Sequence, residues 1–575
     1  MVLNILKGTA GVNGAIFGEI RGNPMHQFLA LPAGLELKSP LQVLPDETSH
    51  SVLLLSAWAG EKPQRVVGPA HHHLLAEWLQ TGLSSPQDLW AWLLERSKRE
   101  RGQESPEAEI RHPGHAKTFD RARRQADCWR ESGILAATWQ NDALPPPLRM
   151  GLSCPRVIYF QGDPNPGQHW AALFNSRKPR QLQPDDHWLR VLRAWLPRIA
   201  ESPAGFASSC GTLSYDLVTA FAQEQGSRLL LLVPFPLDAL QDLSQPESQR
   251  TFFRSHPVSL LLSCSVGTLG CDKSTRMTCR DRLLAHLADF HLVLEVRNRG
   301  NLRSVLHRQQ THQPRRQWVL LPSPPTSETL GNLQLLEHFP QWSQNIPEHE
   351  WAPISSRSAA RPARRCRRTR PDPPEPRNIP WRNYLYHYTR SCPGPWPGQS
   401  YREYLLSLLR NEPGSGHSGA DSLIRILSEK MLRASGKLVR GTQPVISWSA
   451  RPPFELAELR KWNRALIRWT FEAYGIAVCR HSLRHLGIQP VIYGPARIHE
   501  CLLPADRFRF QLHMPPHCCW KQEREWRLPT DLHLRADLDA FLFVPDERAA
   551  ELIDAQVACP FPIISLDRLA APQRV

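Results

Sequence analysis

Two glutamates separated by one residue, Glu523 and Glu525, lie in the segment EREWRL (Glu523 to Leu528) of a 575-residue chain. If that segment is a strand, its period of two turns both carboxylates to one face, where they can stabilise positive charge developing on a bound substrate. Otherwise Glu523, Arg524, Glu525 and Arg527 form a surface ladder of ion pairs that contributes little. Upstream, Ser447 and Ser449 in PVISWS (Pro444 to Ser449) share a face by the same period, and His387 in LYHYTR (Leu385 to Arg390) offers ring nitrogens for hydrogen bonding. By position alone His387 reads equally well as a core histidine, and Trp448 and Trp526 read as core. A different chemistry is available earlier in the chain. Ser208, Ser209, Gly211 and Thr212 are small residues at a strand-to-helix turn, where backbone N–H groups and the helix dipole favour a phosphate. Arg177, just past an adjacent strand, would add a bidentate cation for the same phosphate.

The elements that must hold these residues are visible in the hydropathy pattern. Arg156 to Phe160, Ala171 to Phe174, Arg228 to Val233, Val258 to Leu262, His291 to Val296 and Trp318 to Leu321 are short apolar runs that read as buried strands. Helix-period segments lie between several of them, including Trp188 to Ala200 and Ser214 to Gln225. That alternation predicts a parallel sheet with helices on both faces, with ligands at the carboxyl ends of the strands. Ser51 to Trp58 (SVLLLSAW) reads as a strand and His71 to Glu95 as helices. The triplet His71, His72 and His73 reads as a solvated helix start, because neighbours on a helix point in different directions. Further on, Ala420 to Ser435 reads as a helix, and Pro444 to Ser449 and Pro490 to Gly494 as strands. Ser355 to Pro380 is dominated by Arg and Pro and reads as an extended basic tether, with nucleic-acid gripping by its arginines as the other option. No repeat of solenoid length is visible.

Composition narrows the class. Lys and Arg number 70 against 54 Asp and Glu, a formal charge of +16, which suits a polyanionic partner although part of it sits in the tether. Hydrophobic residues are 41 % with 19 Trp, enough for several cores, so a wholly disordered chain is excluded. The 13 Cys show no C-x-x-C and no zinc spacing with His, which points to reduced thiols and no metal. No apolar run spans a bilayer and the first residues do not form a signal peptide, so the expectation is a cytoplasmic protein without membrane attachment.

From about Gly133 to Pro340 the chain resembles the DNA-processing protein A (Smf) family, a branch of the SLOG superfamily of Rossmann-like nucleotide- and nucleic-acid-binding domains. The resemblance runs through GILAATWQNDALPPPLRMGLSCPRVIYFQG, with Pro147, Leu148, Pro155, Tyr159 and Gly162, then WAALFNSRKPR, with Asn175, Ser176, Arg177 and Pro179. It continues through ASSCGTLSYDLVTAFA, with Gly211, Asp216 and Ala220, and MTCRDRLLAHLADFHLVLEVRNRGNL, with Arg280, Glu295, Gly300 and Asn301. It implies phosphate binding, of a nucleotide or DNA, by Ser176, Arg177, Ser209, Gly211, Thr212, Arg280, Gly300 and Asn301. This chain departs from the pattern at Asn175, at Cys210 and at Asp281, where an acidic residue would repel a phosphate.

From Tyr384 to Asp546 the ordered set of LYHYT, a helix, PVISWS and EREWR resembles ADP-ribosyltransferase-like domains, including those of toxins and abortive-infection proteins. The resemblance implies an α+β domain that holds NAD as substrate between two split half-sheets. It implies contacts from His387, Thr389, Ser447 and Ser449, with Glu525 as the catalytic carboxylate and Glu523 orienting the substrate. Breaking the glycosidic bond builds an oxocarbenium ion, which a carboxylate would stabilise.

The expected organisation is therefore an α/β chain with an N-terminal region over 1–110, a Rossmann-like domain over 111–345, a linker over 352–380 and an effector domain over 381–575. The expected function is a bacterial-type anti-phage defence or stress protein. Its first domain would sense a nucleotide or single-stranded nucleic acid, and its second would consume NAD, with a protein or nucleic-acid acceptor and a homo-oligomer both open. The competing readings are a non-enzymatic single-stranded DNA-binding protein with a C-terminal interaction domain, and a nucleotide hydrolase centred on Arg177 and Glu295.

Overall fold

A computed structural model describes residues 41–61, 77–79, 81–101, 113–139, 157–163, 169–176, 182–183, 185–237, 258–263, 273–350, 371–372, 374–375, 378–436, 439–440, 443–463, 468–515 and 520–567. Residues 1–177 with 187–351 form one compact unit, and 178–186 with 352–575 a second. The His71 to His73 triplet, Pro147, Leu148, Pro155, Arg177, Pro179 and most of the Arg/Pro-rich tether lie outside the described residues.

The first unit is built on a ten-stranded sheet in the order β1-β2-β3-β7-β6-β5-β4-β8-β9-β10. Its strands are β1 (Leu41–Val43), β2 (Leu135–Trp139), β3 (Val157–Gly162), β4 (Trp170–Phe174), β5 (Gly205–Ser209), β6 (Leu229–Val233), β7 (Leu260–Ser263), β8 (Phe290–Val293), β9 (Arg316–Val319) and β10 (Ser343–Asn345). From β7 to β10 all neighbours are parallel, while β1, β2 and β3 add antiparallel pairs at one edge. Helices run between the central strands, so the expected α/β, Rossmann-like architecture is present. The sequence explains the arrangement. Every residue of β4, β5 and β6 is buried, as a strand covered on both faces requires.

The helices that complete the layers include α1 (Asp46–Glu61), α2 (Pro86–Arg101), α3 (Pro113–Glu131), α4 (His187–Ala200), α5 (Leu213–Glu224), α6 (Lys273–Leu287), α7 (Asn301–His312) and α8 (Leu330–His338). Trp188, Leu189, Val191, Leu192, Trp195, Leu196 and Ile199 form the buried stripe of α4, with the spacing of one helix face. The expectation of a strand over Ser51 to Trp58 is corrected, because those residues lie within α1. Val52, Leu53, Leu54 and Leu55 are all fully or almost fully buried, so an unbroken apolar run could not distinguish a buried strand from a buried helix. The run packs into one cluster with Tyr159 and Leu231, so α1 belongs to the core of the large sheet.

The second unit has a seven-stranded sheet in the order β17-β20-β13-β11-β16-β22-β23. Its strands and those of its small sheets are β11 (Tyr384–Tyr388), β12 (Met431–Leu432), β13 (Ile446–Ser449), β14 (Trp462–Asn463), β15 (Arg468–Trp469), β16 (Gly475–Cys479), β17 (Gln489–Pro490), β18 (Ile492–Gly494), β19 (Phe510–Leu512), β20 (Glu525–Leu528), β21 (Leu532–His533), β22 (Ala540–Val544) and β23 (Ile563–Ser565). The main sheet is antiparallel except for β22 and β23, which suits the α+β class. The helix expected over Ala420 to Ser435 stops at Glu429, because Lys430 turns left-handed (φ 50°), and β12 follows.

Period-two alternation divides the core of this unit. Leu385, Trp448, Ile476 and Leu542 enter one apolar cluster, while Tyr386, Tyr388, Ala477 and Phe543 enter another. The sheet is not split, but its pairing is uneven. All five residues of β11 pair with β16, whereas β11 meets β13 through the single pair Tyr386 and Ser449. Gly475 permits the tight side of this seam, since a Cβ there would collide with the His387 carbonyl and the Phe543 ring.

Candidate functional site

In the second unit, Glu523 and Glu525 do converge, but not by strand alternation. Glu523 ends a 3-10 turn (Trp520–Glu523), Arg524 is left-handed (φ 47°), and Glu525 begins β20. A non-glycine residue in that region costs energy that the surrounding contacts must repay. Those contacts are present. The Ala450 N–H donates to the Arg524 carbonyl at 3.1 Å, the Val491 N–H donates to the Glu525 carbonyl at 3.0 Å, and the Ser449 hydroxyl donates to the Glu523 carbonyl at 2.7 Å.

The carboxylate of Glu525 is closely held. Its Oε1 accepts from the Ser447 hydroxyl at 2.8 Å and from Arg527 Nε at 2.9 Å. Arg527, only 3 % exposed, is itself fixed by the carbonyls of Phe508 and Phe510 at 2.9 and 2.7 Å and by Gln511 Oε1 at 2.6 Å. The Glu525 N–H donates to the Tyr493 hydroxyl at 2.8 Å. Burial and the neighbouring carboxylates push the Tyr493 phenol up to about 12, so it stays protonated. Glu523 differs from its neighbour. Burial first, and the charge of Glu525 second, push it up to about 7, with the Arg390 guanidinium pulling the other way.

His387 stands apart from the carboxylates. Its Nδ1–H donates to the Ser447 carbonyl at 2.9 Å, which leaves Nε2 as the acceptor, and its ring meets Trp448 edge-on at 5.7 Å. Burial holds its pKa down to about 4. Leu385 and Trp448 share one apolar cluster, whereas Tyr386, opposite Ser449, enters the other. The ring of His387 therefore projects on the Trp448 face, while Ser447, Ser449, Glu525 and Arg527 occupy the opposite face, connected to it through the Ser447 backbone. Thr389 is buried and its hydroxyl donates to the Gly419 carbonyl at 2.7 Å. Tyr493, Arg390 and Arg527 complete the cluster; the ion pair expected between Arg527 and Glu525 is present, but it is buried rather than on the surface. Nothing in the sequence marks Tyr493 or Arg390.

In the first unit, the chain order of β4 to β8 puts the topological switch point between β4 and β8. Hydrogen bonds close that edge. The Ser176 N–H donates to the Glu295 carbonyl at 2.7 Å, the Glu295 N–H to Asn175 Oδ1 at 3.3 Å, and the Arg297 N–H to the Ser176 hydroxyl at 3.3 Å. The turn after β5 is occupied by the chain's own groups. Ser209 is fully buried and donates to the Leu232 carbonyl at 2.6 Å. Gly211 has φ 88° and its N–H donates to Asp216 Oδ1 at 3.3 Å, and Thr212 caps α5. The carboxylate of Asp216, in the first turn of α5, supplies the negative charge that the helix dipole favours.

Arg280 is buried beneath this turn. It bonds Asp281 Oδ1 through Nε at 2.9 Å and through a terminal nitrogen at 2.8 Å, and donates to the Cys210 carbonyl at 3.1 Å. Its guanidinium lies 4.8 Å from the centre of the Tyr215 ring, and the Tyr215 hydroxyl donates to Asp281 at 3.0 Å. Asp281 thus neutralises Arg280, and the pair braces the turn. Gly300 caps the start of α7 and Asn301 begins it, with Asn301 exposed. Among the described residues, no group of three or more His, Cys, Asp or Glu could hold a metal ion, and no helix is long and apolar enough to cross a membrane.

No protein-family model matches the chain, and no curated protein matches it in sequence. Solved structures with weak similarity to the chain include two of DNA processing protein A. DNA processing protein A from Streptococcus pneumoniae aligns with 52 % of this chain and 90 % of its own at 14 % identity, with a TM-score of 0.30. DNA processing protein A from Helicobacter pylori, solved for its single-stranded DNA binding mode, aligns with 37 % of this chain and 90 % of its own at 20 % identity, with a TM-score of 0.28.

Proposed function

We propose that the chain pairs a Rossmann-like unit that takes a nucleotide or single-stranded nucleic acid with a second unit that cleaves the glycosidic bond of NAD, as an ADP-ribosyltransferase or NAD glycohydrolase. The observation that carries the catalytic half is the pair Glu523 and Glu525: adjacent carboxylates in unlike environments, the arrangement that lets one group move a proton while the other remains a fixed charge. Glu525, oriented by Ser447 and Arg527, stabilises the oxocarbenium ion as the bond from C1′ to nicotinamide breaks and nicotinamide leaves with the bonding electrons. Glu523, with a pKa near neutrality, accepts the proton released when water or an acceptor nucleophile bonds to C1′. His387 and Ser449 are positioning residues, holding the Ser447 and Glu523 carbonyls.

A second reading is a non-enzymatic single-stranded DNA-binding or DNA-processing protein whose second unit mediates interaction. The ion pair of Glu525 with a fully anchored Arg527 favours it, since such a pair is also what a purely structural brace looks like. The excess of 16 positive charges suits it as well. Incubating the full chain with NAD, with and without oligothymidylate, and following nicotinamide release separates the two. Release that is lost in Glu525→Gln supports the enzyme. Oligonucleotide binding with no release under either condition supports the second reading.

A further inference from the structure

We propose that the hairpin of β14 and β15 is a landing platform for single-stranded nucleic acid in the second unit. Trp462 and Trp469 are paired across the hairpin, with ring centroids 5.4 Å apart at 72°, and both are only half-buried. The Arg460 guanidinium lies 4.2 Å from the centre of the Trp469 ring, and Arg460 and Lys461 are exposed. Thr470 locks the base of the hairpin: its N–H donates to the Lys461 carbonyl at 2.9 Å, and its hydroxyl accepts from the Lys461 N–H at 2.9 Å.

Indole rings held beside exposed cations are the two parts a single strand needs, a surface on which bases stack and charges that track phosphates. A duplex hides its base faces, and an acidic peptide has none, so the tryptophans select a single strand over both. The hairpin leads directly to the candidate site. Phe471 follows Thr470 and carries the Arg390 guanidinium 5.9 Å from its ring centre, and Arg390 is the cation that acts on Glu523. A strand on the hairpin would thus approach the paired carboxylates from the Arg390 side. This surface belongs to the second unit alone, and the proposal does not depend on NAD cleavage.

The test uses the full chain and a short fluorescein-labelled oligothymidylate, with binding followed by anisotropy over a range of salt. Trp462→Leu and Trp469→Leu should each weaken binding by about 5- to 100-fold, the range for loss of one stacked base, with the salt slope unchanged. Arg460→Ala and Lys461→Ala leave the indole pair in place and should each flatten the slope by about 0.7. Photo-crosslinking with a 4-thiothymidine oligonucleotide should give adducts between Leu459 and Phe471. Wild-type affinity in all four variants, adducts only outside that segment, or equal competition by polyglutamate would overturn the proposal. Nicotinamide release measured on the same variants keeps the fate of this surface distinct from that of the catalytic reading.

Discussion

Ser447 donates to Glu525 at 2.8 Å although the two residues do not face each other in register: Ser447 is opposite Arg527, and Glu525 is opposite Ser449. The bond is therefore diagonal across β13 and β20. One hydroxyl and one guanidinium, both from the same sheet face, converge on a single carboxylate oxygen. An oxygen held from two sides cannot rotate away from a substrate, and this preorganisation is what a charge-stabilising group requires.

The first prediction follows from that relationship. Glu525→Gln keeps the shape but removes the charge, so nicotinamide release should fall by about 10²- to 10³-fold, with NAD binding nearly unchanged. Ser447→Ala should produce a smaller loss in the same direction. Steady-state release together with calorimetric NAD binding checks both, and retention of full turnover in Glu525→Gln would remove the catalytic assignment.

Glu523 gives a prediction about pH and stability together. Its folded pKa, near 7, lies above the ordinary glutamate value, so the folded state binds more protons between about pH 4.5 and 7 and loses stability as pH rises through that window. Glu523→Gln should therefore raise the stability of the second unit at pH 8 by about 2 kcal/mol or less, seen as a higher melting temperature, with no gain at pH 4. If Glu523 accepts a proton in turnover, release should also rise with pH through about 7 in the wild type and lose that limb in the variant.

The histidines work in the opposite direction. His387 is held down to about 4, and His286 and His291 in the first unit to about 3, chiefly by burial, so the unfolded chain takes up protons first as pH falls. Stability from these groups is present above pH 6.5 and drains away on acidification through their folded values. Melting curves from pH 7 to pH 4 should show the loss, and His291→Gln, tested as a neutral replacement, should reduce it.

Arg280 is the test of the first unit's turn. Removing one partner of a buried ion pair leaves the other charge uncompensated, so Arg280→Ala should cost about 3–5 kcal/mol. The double variant Arg280→Met with Asp281→Leu should recover much of that loss. Chemical unfolding of the variants measures it. An Arg280→Ala protein of unchanged stability that fails to bind nucleotide would instead assign this guanidinium to a ligand.

Much of the scaffold was legible because burial writes itself into sequence. WAALF and LLLLV are apolar throughout and form central parallel strands, and the helical period over Trp188 to Ala200 matches the buried stripe of α4. SVLLLSAW reads as a strand only because continuous burial erases periodicity; in the fold it is helical and packs against α3. The site was legible in its residue types but not in its geometry. Glu523 and Glu525 meet through a left-handed Arg524, a conformation that no local preference of arginine announces. Asp281 read as a repulsive charge because its partner, Arg280, was assigned to a phosphate; in the fold the two neutralise each other.

The uneven pairing of β11 bears on how the second unit comes together. Five consecutive pairs join β11 to β16, and four join β13 to β20, but one pair joins the two groups. Each group has the contacts to condense separately, and the meeting of the two is the step with the least backbone adhesion. His387 arrives with the first group, and Ser447 and Glu525 with the second, so the arrangement at the carboxylates is completed only when the groups dock. A partly folded chain would then carry both groups with the carboxylate cluster unassembled, and pulse-labelled amide exchange should find β11 and β16 protected before Ser449 and Glu525 are locked beside them.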